Sequence, residues 1–355
     1  MKKCLLVILP LFELFVLPAF SQNDSVKFET SLSDTLQESI SLFDSNELLE
    51  ISLSFDIKYF KKNKSDDEYQ DAILTYSLNG NNYVTNKLKV KPRGEFRRTF
   101  CSFPPLLLNF RMTDSIKGEF YGIDKLKMVP HCNSGFEDYI LREYLIYKLY
   151  NVLTDNSFRV RLLRVNYINT GKKIKPIKEF GFVIEPVKLL EKRTNTIELD
   201  LNNLTQKNIK PEMMDRMAIF NYMIGNTDWS VPKRHNVKIF SQINSERPDL
   251  GMIVPYDFDY TGLVNADYAI PVEELGIESV RERLYVGICR SKETFDNALR
   301  EFSDKKEEFF RVINEFPYLK ERSKNEMIQY LNGFFKEFDK RNTIVYQLLK
   351  DCKNF

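Results

Sequence analysis

The sequence predicts an α+β protein of two lobes, with a mostly β first half that carries one helix and a mainly helical second half. From Leu49 onward, apolar and polar residues alternate over several segments of strand length. The turn signal Asn79-Gly80 joins two of these segments as a hairpin. Beyond Pro186, the apolar residues instead recur at helical spacing. We therefore predict a first lobe over 47–186 and a second lobe over 187–355.

Each lobe is predicted from its own run of elements. The predicted strands of the first lobe, which we expect to form an antiparallel sheet, cover 51–59, 72–77, 83–90, 104–111, 159–167 and 179–185. One helix is expected there, over 136–153, because Leu141, Leu145 and Leu149 fall on one face. The predicted elements of the second lobe are a helix over 211–224, a hairpin over 236–257 and almost continuous helix over 272–355.

The first residues have the composition of a secretory signal peptide. Two lysines precede an apolar run, which ends at the small-x-small site Ala19-Phe20-Ser21. Residues 1–21 are therefore predicted as a signal peptide, and 22–46, rich in Ser, Asp and Glu, as an N-terminal extension. The apolar run is too short to span a bilayer, so no transmembrane segment is expected after cleavage. We expect an exported protein, located in the periplasm, in the cell envelope or outside the cell.

Charge and cysteine content exclude some classes of partner and site. The 52 basic and 50 acidic residues give a net charge of +2, so we expect no nucleic-acid partner. The cysteines beyond the signal peptide are Cys101, Cys132, Cys289 and Cys352. Their spacing contains no CxxC pair, so no zinc site is predicted. Two alternatives stay open for them: a disulfide between the two in the first lobe, Cys101 and Cys132, or four buried thiols.

Oxygen-bearing side chains follow the apolar helix of the second lobe. Asp228 lies in the turn after that helix, Asn236 begins a short apolar strand, and Asp257 ends the next one. Eight positions separate Asp228 from Asn236 and twenty-one separate Asn236 from Asp257, which suits a hairpin that returns its end beside its start. In an extended strand, Asp259 would share a face with Asp257. Amide and carboxylate oxygens are ligands that suit Mg²⁺ or Mn²⁺.

The order Asp, Asn, Asp is that of the phosphoryl-transfer site of protein kinases. By that order, Asp228 is expected to be the general base or to orient the substrate hydroxyl. Asn236 and Asp257 are expected to hold the metal, and Asp259 is expected to face the same metal cluster. The residues expected to support them are Asn226 and His235. The alternative for this stretch is a turn that ends a helix, followed by a polar strand edge.

The same stretch resembles the spore coat protein H (CotH) family of atypical, protein-kinase-like enzymes and, more distantly, the HipA-type kinases. Those families share an Asn-x-Asp turn, a His-Asn pair and a Tyr/Trp-Asp-x-Asp, which here are 226–228, 235–236 and 256–259. The Arg93-Gly94 pair is similar to the family's Arg-Gly loop. The resemblance implies a two-lobed protein-kinase-like fold. It also implies transfer of the γ-phosphoryl group of ATP to a protein Ser/Thr or another hydroxyl acceptor.

The resemblance further implies a nucleotide site in the first lobe. A cation there is expected to hold phosphate and to pair with a helix glutamate, which would be Glu143. The candidate cations are Lys89, Lys91, Arg93 and Lys127. Gly94 would let its backbone approach the phosphates, and Glu185 falls at the hinge position that would meet adenine. The segment after the Arg-Gly loop, which carries a Lys in many family members, has none in this chain.

Two other functions stay open. One is a catalytically inactive pseudokinase or envelope-binding protein, which a cleft without a lysine from the first lobe would favour. The other is a metal-dependent phosphoesterase. It would show three or four carboxylates around two metals about 3.5–4 Å apart, and no nucleotide cleft.

Overall fold

The computed structural model describes residues 42–65, 67–77, 82–110, 118–171, 175–247, 249–340 and 343–354. The predicted signal peptide, residues 22–41 of the predicted extension and the Asn79-Gly80 turn lie outside these residues. Within the described part of the chain, no helix is long and apolar enough to cross a membrane.

The strands of the first half close into a barrel. They are β1 Leu49–Phe55, β2 Gln70–Ser77, β3 Tyr83–Pro92, β4 Leu106–Asn109, β5 Lys125–Val129, β6 Val160–Asn169 and β7 Ile177–Ile184. Their order around the barrel is β1-β2-β3-β4-β5-β7-β6. The neighbouring strands pair antiparallel, as predicted, except that β1 pairs parallel with β6 and so closes the barrel. The sequence had predicted a sheet, and its closure was not predicted.

Helices cover parts of this barrel. They are α1 Ile57–Lys62, α2 Phe96–Phe100 and α3 Glu137–Leu153. The predicted helix over 136–153 is confirmed as α3, which packs on β7. The prediction of strand through 59 is wrong, because Asp56 ends the strand pattern. Its carboxylate accepts the Tyr59 N–H at 2.9 Å and thereby caps α1.

The second half is mainly helical around a small sheet. Its helices are α4 Val187–Thr194, α5 Pro211–Ile224, α6 Lys292–Asp304, α7 Lys306–Asn314, α8 Glu321–Asp339 and α9 Thr343–Asp351. The small sheet has the order β10-β9-β8, with β8 Thr196–Glu198, β9 Val237–Gln242 and β10 Met252–Pro255. The hairpin of β9 and β10 confirms the predicted one. The prediction of almost continuous helix from 272 is wrong for 276–291, which contains no helix.

Two apolar clusters form the interior. One fills the barrel and includes Leu53, Val90 and Val165. The other joins α3, residues on the outer face of β6 and β7, the small sheet and the helices of the second half. The protein is therefore a mixed α and β structure, with its β barrel first and its helices second.

Two disulfides connect the four cysteines beyond the predicted signal peptide. Cys101–Cys132, one of the two alternatives left open by the sequence, is confirmed. Cys289–Cys352 was not predicted, because the long interval between these residues gave no sign that the end of α9 returns to the 276–291 segment.

Candidate functional site

The turn after α5 positions Asp228. Gly225 ends the helix with a φ of 69°, a left-handed conformation that glycine adopts without strain. Asn226 is then fixed by the helix, since its Nδ2 donates to Asn221 Oδ1 at 2.9 Å. Asn226 Oδ1 in turn accepts the Asp228 N–H at 3.0 Å. The predicted supporting residue Asn226 thus connects the rigid helix to the candidate base.

Two neighbouring side chains hold the Asp228 carboxylate. His235 Nε2 lies 2.8 Å from Oδ1, and Asn236 Nδ2 donates to Oδ2 at 2.9 Å and to the Asp228 carbonyl at 2.8 Å. The amide of Asn236 therefore points its nitrogen at Asp228. Within the described residues, no hydrogen-bond donor contacts Asn236 Oδ1, so this oxygen is available to a cation.

The hairpin brings Asp257 back to Asn236. Pro255 at the end of β10 pairs with Val237 at the start of β9, and the Tyr256 N–H donates to the Asn236 carbonyl at 2.9 Å. Asn236 and Asp257 both have positive φ, 52° and 63°. Asn and Asp tolerate this left-handed conformation better than most residues do, although it costs roughly 1–2 kcal/mol.

The Asp259 carboxylate lies beside that of Asp257 at the cavity, but protein donors use part of it. The strand ends at Pro255, so the expectation of an extended segment through Asp257 and Asp259 is wrong. Asp259 Oδ2 accepts from Arg97 Nε at 2.8 Å and from the Tyr268 hydroxyl at 3.1 Å. One of its two oxygens is therefore already occupied by protein donors.

A buried arginine joins Asp259 to the predicted helix glutamate. Arg97 Nη2 donates to Glu143 Oε2 at 2.6 Å, so the partner of Glu143 is Arg97 rather than any of the predicted cations. Burial raises the pKa of Glu143 to about 8 and that of Asp259 to about 6, against the opposing charge of Arg97. Burial alone would lower the pKa of Arg97, but the adjacent carboxylates of Asp259 and Glu143 raise it well above its ordinary value.

The candidate residues surround one cavity of about 660 Å³. Its polar lining includes Asp228, His235, Asn236, Asp257 and Asp259. Its apolar lining includes Val129, Phe158, Ile184 and Pro186. The volume lies within the range of small-molecule sites, about 300–1,000 Å³.

Of the predicted cations, Arg93 and Lys127 reach this cavity. Burial, and then the charges of Arg93 and Lys238, lower the pKa of Lys127 to about 8. Gly94 also lines the cavity, with a φ of 87° and open space where a side chain would stand. Lys91 does not line it: its Nζ lies 2.5 Å from Asp67 Oδ1. Lys89 likewise pairs outside the cavity, with Asp71 at 2.8 Å.

Glu185 lines the cavity where β7 gives way to α4. Its backbone N–H donates to the Arg159 carbonyl at 2.9 Å, and its carboxylate accepts from Arg193 at 2.9 Å. The side chain is thus committed to the protein. The backbone of Glu185, Pro186 and Val187 nevertheless forms one edge of the cavity.

The donor set fits a metal that arrives with phosphates. No three His, Cys, Asp or Glu side chains in the described residues are grouped to hold a metal ion. Mg²⁺ in phosphoryl-transfer sites needs only one or two protein carboxylates beside the substrate phosphates. Asn236 Oδ1 and the Asp257 carboxylate supply one amide and one carboxylate oxygen at the same cavity.

Sequence reasoning missed Arg97 and Tyr147. The Asp257 N–H donates to the Tyr147 hydroxyl at 2.9 Å, which fixes the backbone of the predicted metal ligand to α3. In the sequence, Arg97 stands next to Arg98 with no pattern that separates the buried residue from the outer one. The position of Arg97 three residues after Gly94 was the one available signal.

No protein-family model matches the chain, and no curated protein matches it. Among solved structures, the chain is similar to the crystal structure of a Helicobacter pylori proinflammatory kinase, CtkA, at 13% identity and a TM-score of 0.37. The similarity covers 69% of this chain and 93% of that one. A likeness this weak decides neither the family nor the activity, so the CotH resemblance stays a prediction.

Proposed function

We propose that the protein is a two-lobed, kinase-like phosphotransferase that moves the γ-phosphoryl group of ATP to a hydroxyl acceptor, either a protein Ser/Thr or a small molecule. One observation carries this proposal. Asp228, Asn236 and Asp257, far apart in sequence, line a single cavity with Lys127 and Arg93. Phosphoryl transfer needs this combination of a base, metal ligands and cations.

The cavity lining combines the two kinds of surface that ATP requires. Phe158 and Ile184 suit a purine base, while Lys127, Arg93 and the open backbone of Gly94 suit phosphates. Within the described residues, neither Lys127 nor Arg93 has a carboxylate partner within salt-bridge distance. Their charges are therefore available to a ligand.

Asn236 and Asp257 would hold Mg²⁺ or Mn²⁺ together with the phosphates. A divalent ion there would neutralise negative charge on the transferred phosphoryl group. Asp228 takes the proton of the acceptor hydroxyl, or orients that hydroxyl, because its carboxylate is held in place by His235 and Asn236. Such catalysis consists mainly of positioning and charge stabilisation.

We further propose that the protein is an exported, CotH-like member of this class. Two disulfides support export, because disulfides persist in oxidising compartments. The order of site residues along the chain supports membership of the family. The main departure from a kinase template is that Glu143 pairs with Arg97 and not with a lysine that also contacts phosphate.

The test is transfer of label from γ-labelled ATP by the mature protein with Mg²⁺ or Mn²⁺. Asp228→Ala and Asp257→Ala are each expected to lower the rate at least 100-fold. Asp249→Ala is the matched control, since Asp249 is exposed on the same hairpin and, among the described residues, forms a salt bridge with Arg247 alone. Transfer that survives either site variant contradicts the mechanism. ATP binding without transfer favours the pseudokinase, and release of phosphate from simple esters favours the phosphoesterase.

A further inference from the structure

We propose that Arg97 is a positioning residue of the transfer site and that the Cys101–Cys132 disulfide fixes its place. This inference rests on the proposed function, because it assigns Arg97 a role in holding the residues around Asp257. Arg97 itself is buried and contributes to the cavity lining.

Arg97 links two parts of the site through its planar fork of donors. Nη2 contacts Glu143 on α3, and Nε contacts Asp259, two residues after Asp257. A guanidinium offers donors in fixed, diverging directions, whereas an ammonium offers a single point charge. Arg97 therefore sets the spacing between α3 and the segment that carries the metal ligand.

The charge balance of the cluster depends on the same residue. The Glu143 and Asp259 side chains are both buried, and Arg97 contacts them at 2.6 and 2.8 Å. Without Arg97, two buried carboxylates would lose their shared cation. The segment that carries Asp257 and Asp259 would also lose this link to α3.

The helix that carries Arg97 cannot hold this position alone. The five residues of α2 are too few for an independently stable helix, and Glu95 at its start makes no side-chain capping hydrogen bond. Its other contacts include the part-exposed rings of Phe96 and Phe100, which pack against Tyr268 with ring centroids 5.6 and 5.0 Å apart. The Cys101 N–H donates to the Arg97 carbonyl at 3.0 Å, so the helix ends at the disulfide.

The disulfide connects the two chain segments that meet through Arg97. Cys101 follows α2, and Cys132 lies five residues before the start of α3, the helix of Glu143. The Phe103 N–H donates to the Cys132 carbonyl at 2.9 Å, and Cys132 has a φ of 61°. This strained residue is held by the bond and by its neighbours, so the bond fixes α2 relative to α3.

The second disulfide provides a matched control. Cys289–Cys352 spans 63 residues, against 31 for Cys101–Cys132, and neither of its cysteines lines the cavity. Loss of the longer link is expected to lower the melting temperature at least as much. Serine variants are preferable to a chemical reductant, because Cys101 and Cys132 are both buried.

The experiment compares Cys101→Ser/Cys132→Ser with Cys289→Ser/Cys352→Ser in the mature protein. We expect the first pair to lower kcat for transfer at least tenfold and to raise the Mn²⁺ concentration needed for half-maximal rate. The second pair should keep kcat within twofold despite its lower melting temperature. The proposal is overturned if both pairs lose kcat in proportion to their loss of melting temperature. It is also overturned if neither pair loses kcat.

Arg97 variants and hydrogen exchange complete the test. Arg97→Met is expected to reproduce the Cys101→Ser/Cys132→Ser kinetics, and Arg97→Lys to restore only part of kcat, because one point charge cannot hold both carboxylates. Backbone amides of 96–103 and 256–260 should exchange faster when Cys101–Cys132 is removed. Their exchange rates should stay unchanged when Cys289–Cys352 is removed. This last readout needs no catalysis, so it separates failure of the positioning role from failure of the proposed function. Unchanged exchange in 256–260, or full activity of Arg97→Met, contradicts the role of Arg97.

Discussion

The charge state of Lys127 gives the sharpest test of nucleotide binding. Its amine lines the cavity beside Arg93, and burial together with the neighbouring cations lowers its pKa to about 8. At pH 7 about nine-tenths of the amines are protonated, and at pH 9 about one-tenth are. The ligand-free protein must then gain a proton to bind a triphosphate. Affinity should therefore fall about tenfold from pH 7 to pH 9, or about 1.4 kcal/mol.

Two substitutions separate this effect from other titrations. Lys127→Met removes a charge-assisted contact, so the ATP affinity at pH 7 should fall by about 1.5–3 kcal/mol, with little dependence on pH remaining. Lys127→Arg stays charged at both pH values and should bind equally at each. Lys89→Met is the control, because Lys89 pairs with Asp71 outside the cavity.

Titration calorimetry with ATP and Mg²⁺ at pH 7, 8 and 9 measures these affinities. A wild-type affinity that is the same at pH 7 and pH 9 refutes the assignment of Lys127 as a phosphate contact. Equal slopes in wild type and Lys127→Arg would also refute it, since the titrating group would then lie elsewhere.

Two further predictions concern stability. Burial lowers the pKa of His131 from 6.5 to about 4, so the neutral ring contributes stability that is present above pH 6.5 and lost as pH falls through 4. Between pH 7 and pH 4, the free energy of unfolding measured in urea should fall by about 3 kcal/mol more in wild type than in His131→Gln. An equal fall in both proteins would exclude His131 as the cause. Gly225→Ala should lower the free energy of unfolding well beyond the roughly 1–2 kcal/mol cost of a left-handed alanine. Its Cβ would stand 2.1 Å from the Tyr330 hydroxyl, whereas Gly276→Ala, with similar φ and open space, should show only the conformational cost.

Local elements could be predicted from the sequence because their signals are local. Helix α5 begins at Pro211 and ends before Gly225, which are the residues that favour a helix start and a left-handed end. The barrel could not be predicted in the same way. Its closure depends on parallel pairing of Leu49 with Leu163, and no turn or spacing in the sequence connects strands so far apart.

The same distinction between local and long-range contacts applies to the candidate site. Asp228, Asn236 and Asp257 flank one helix end and one hairpin, so their convergence follows from short-range geometry. The contact of Asp259 does not, because Asp259 meets Arg97, 162 positions earlier, and no turn or spacing connects them. Lys91 meets Asp67 across the end of the predicted β2–β3 hairpin, but the sequence does not single out this partner among the polar residues before β2.

The partners of Glu143 and Lys127 bear directly on whether the cleft can hold phosphate. In protein kinases one lysine contacts both the nucleotide phosphates and the helix glutamate. Here Arg97 pairs with Glu143, while Lys127 lines the cavity from a different element, β5. The residue that stabilises the glutamate is thus separate from the residue that faces the ligand. The segment after Gly94 has no lysine, but Lys127 still supplies a cation to the cleft. A cleft without a lysine from the first lobe would have favoured the pseudokinase alternative, but this cleft contains Lys127.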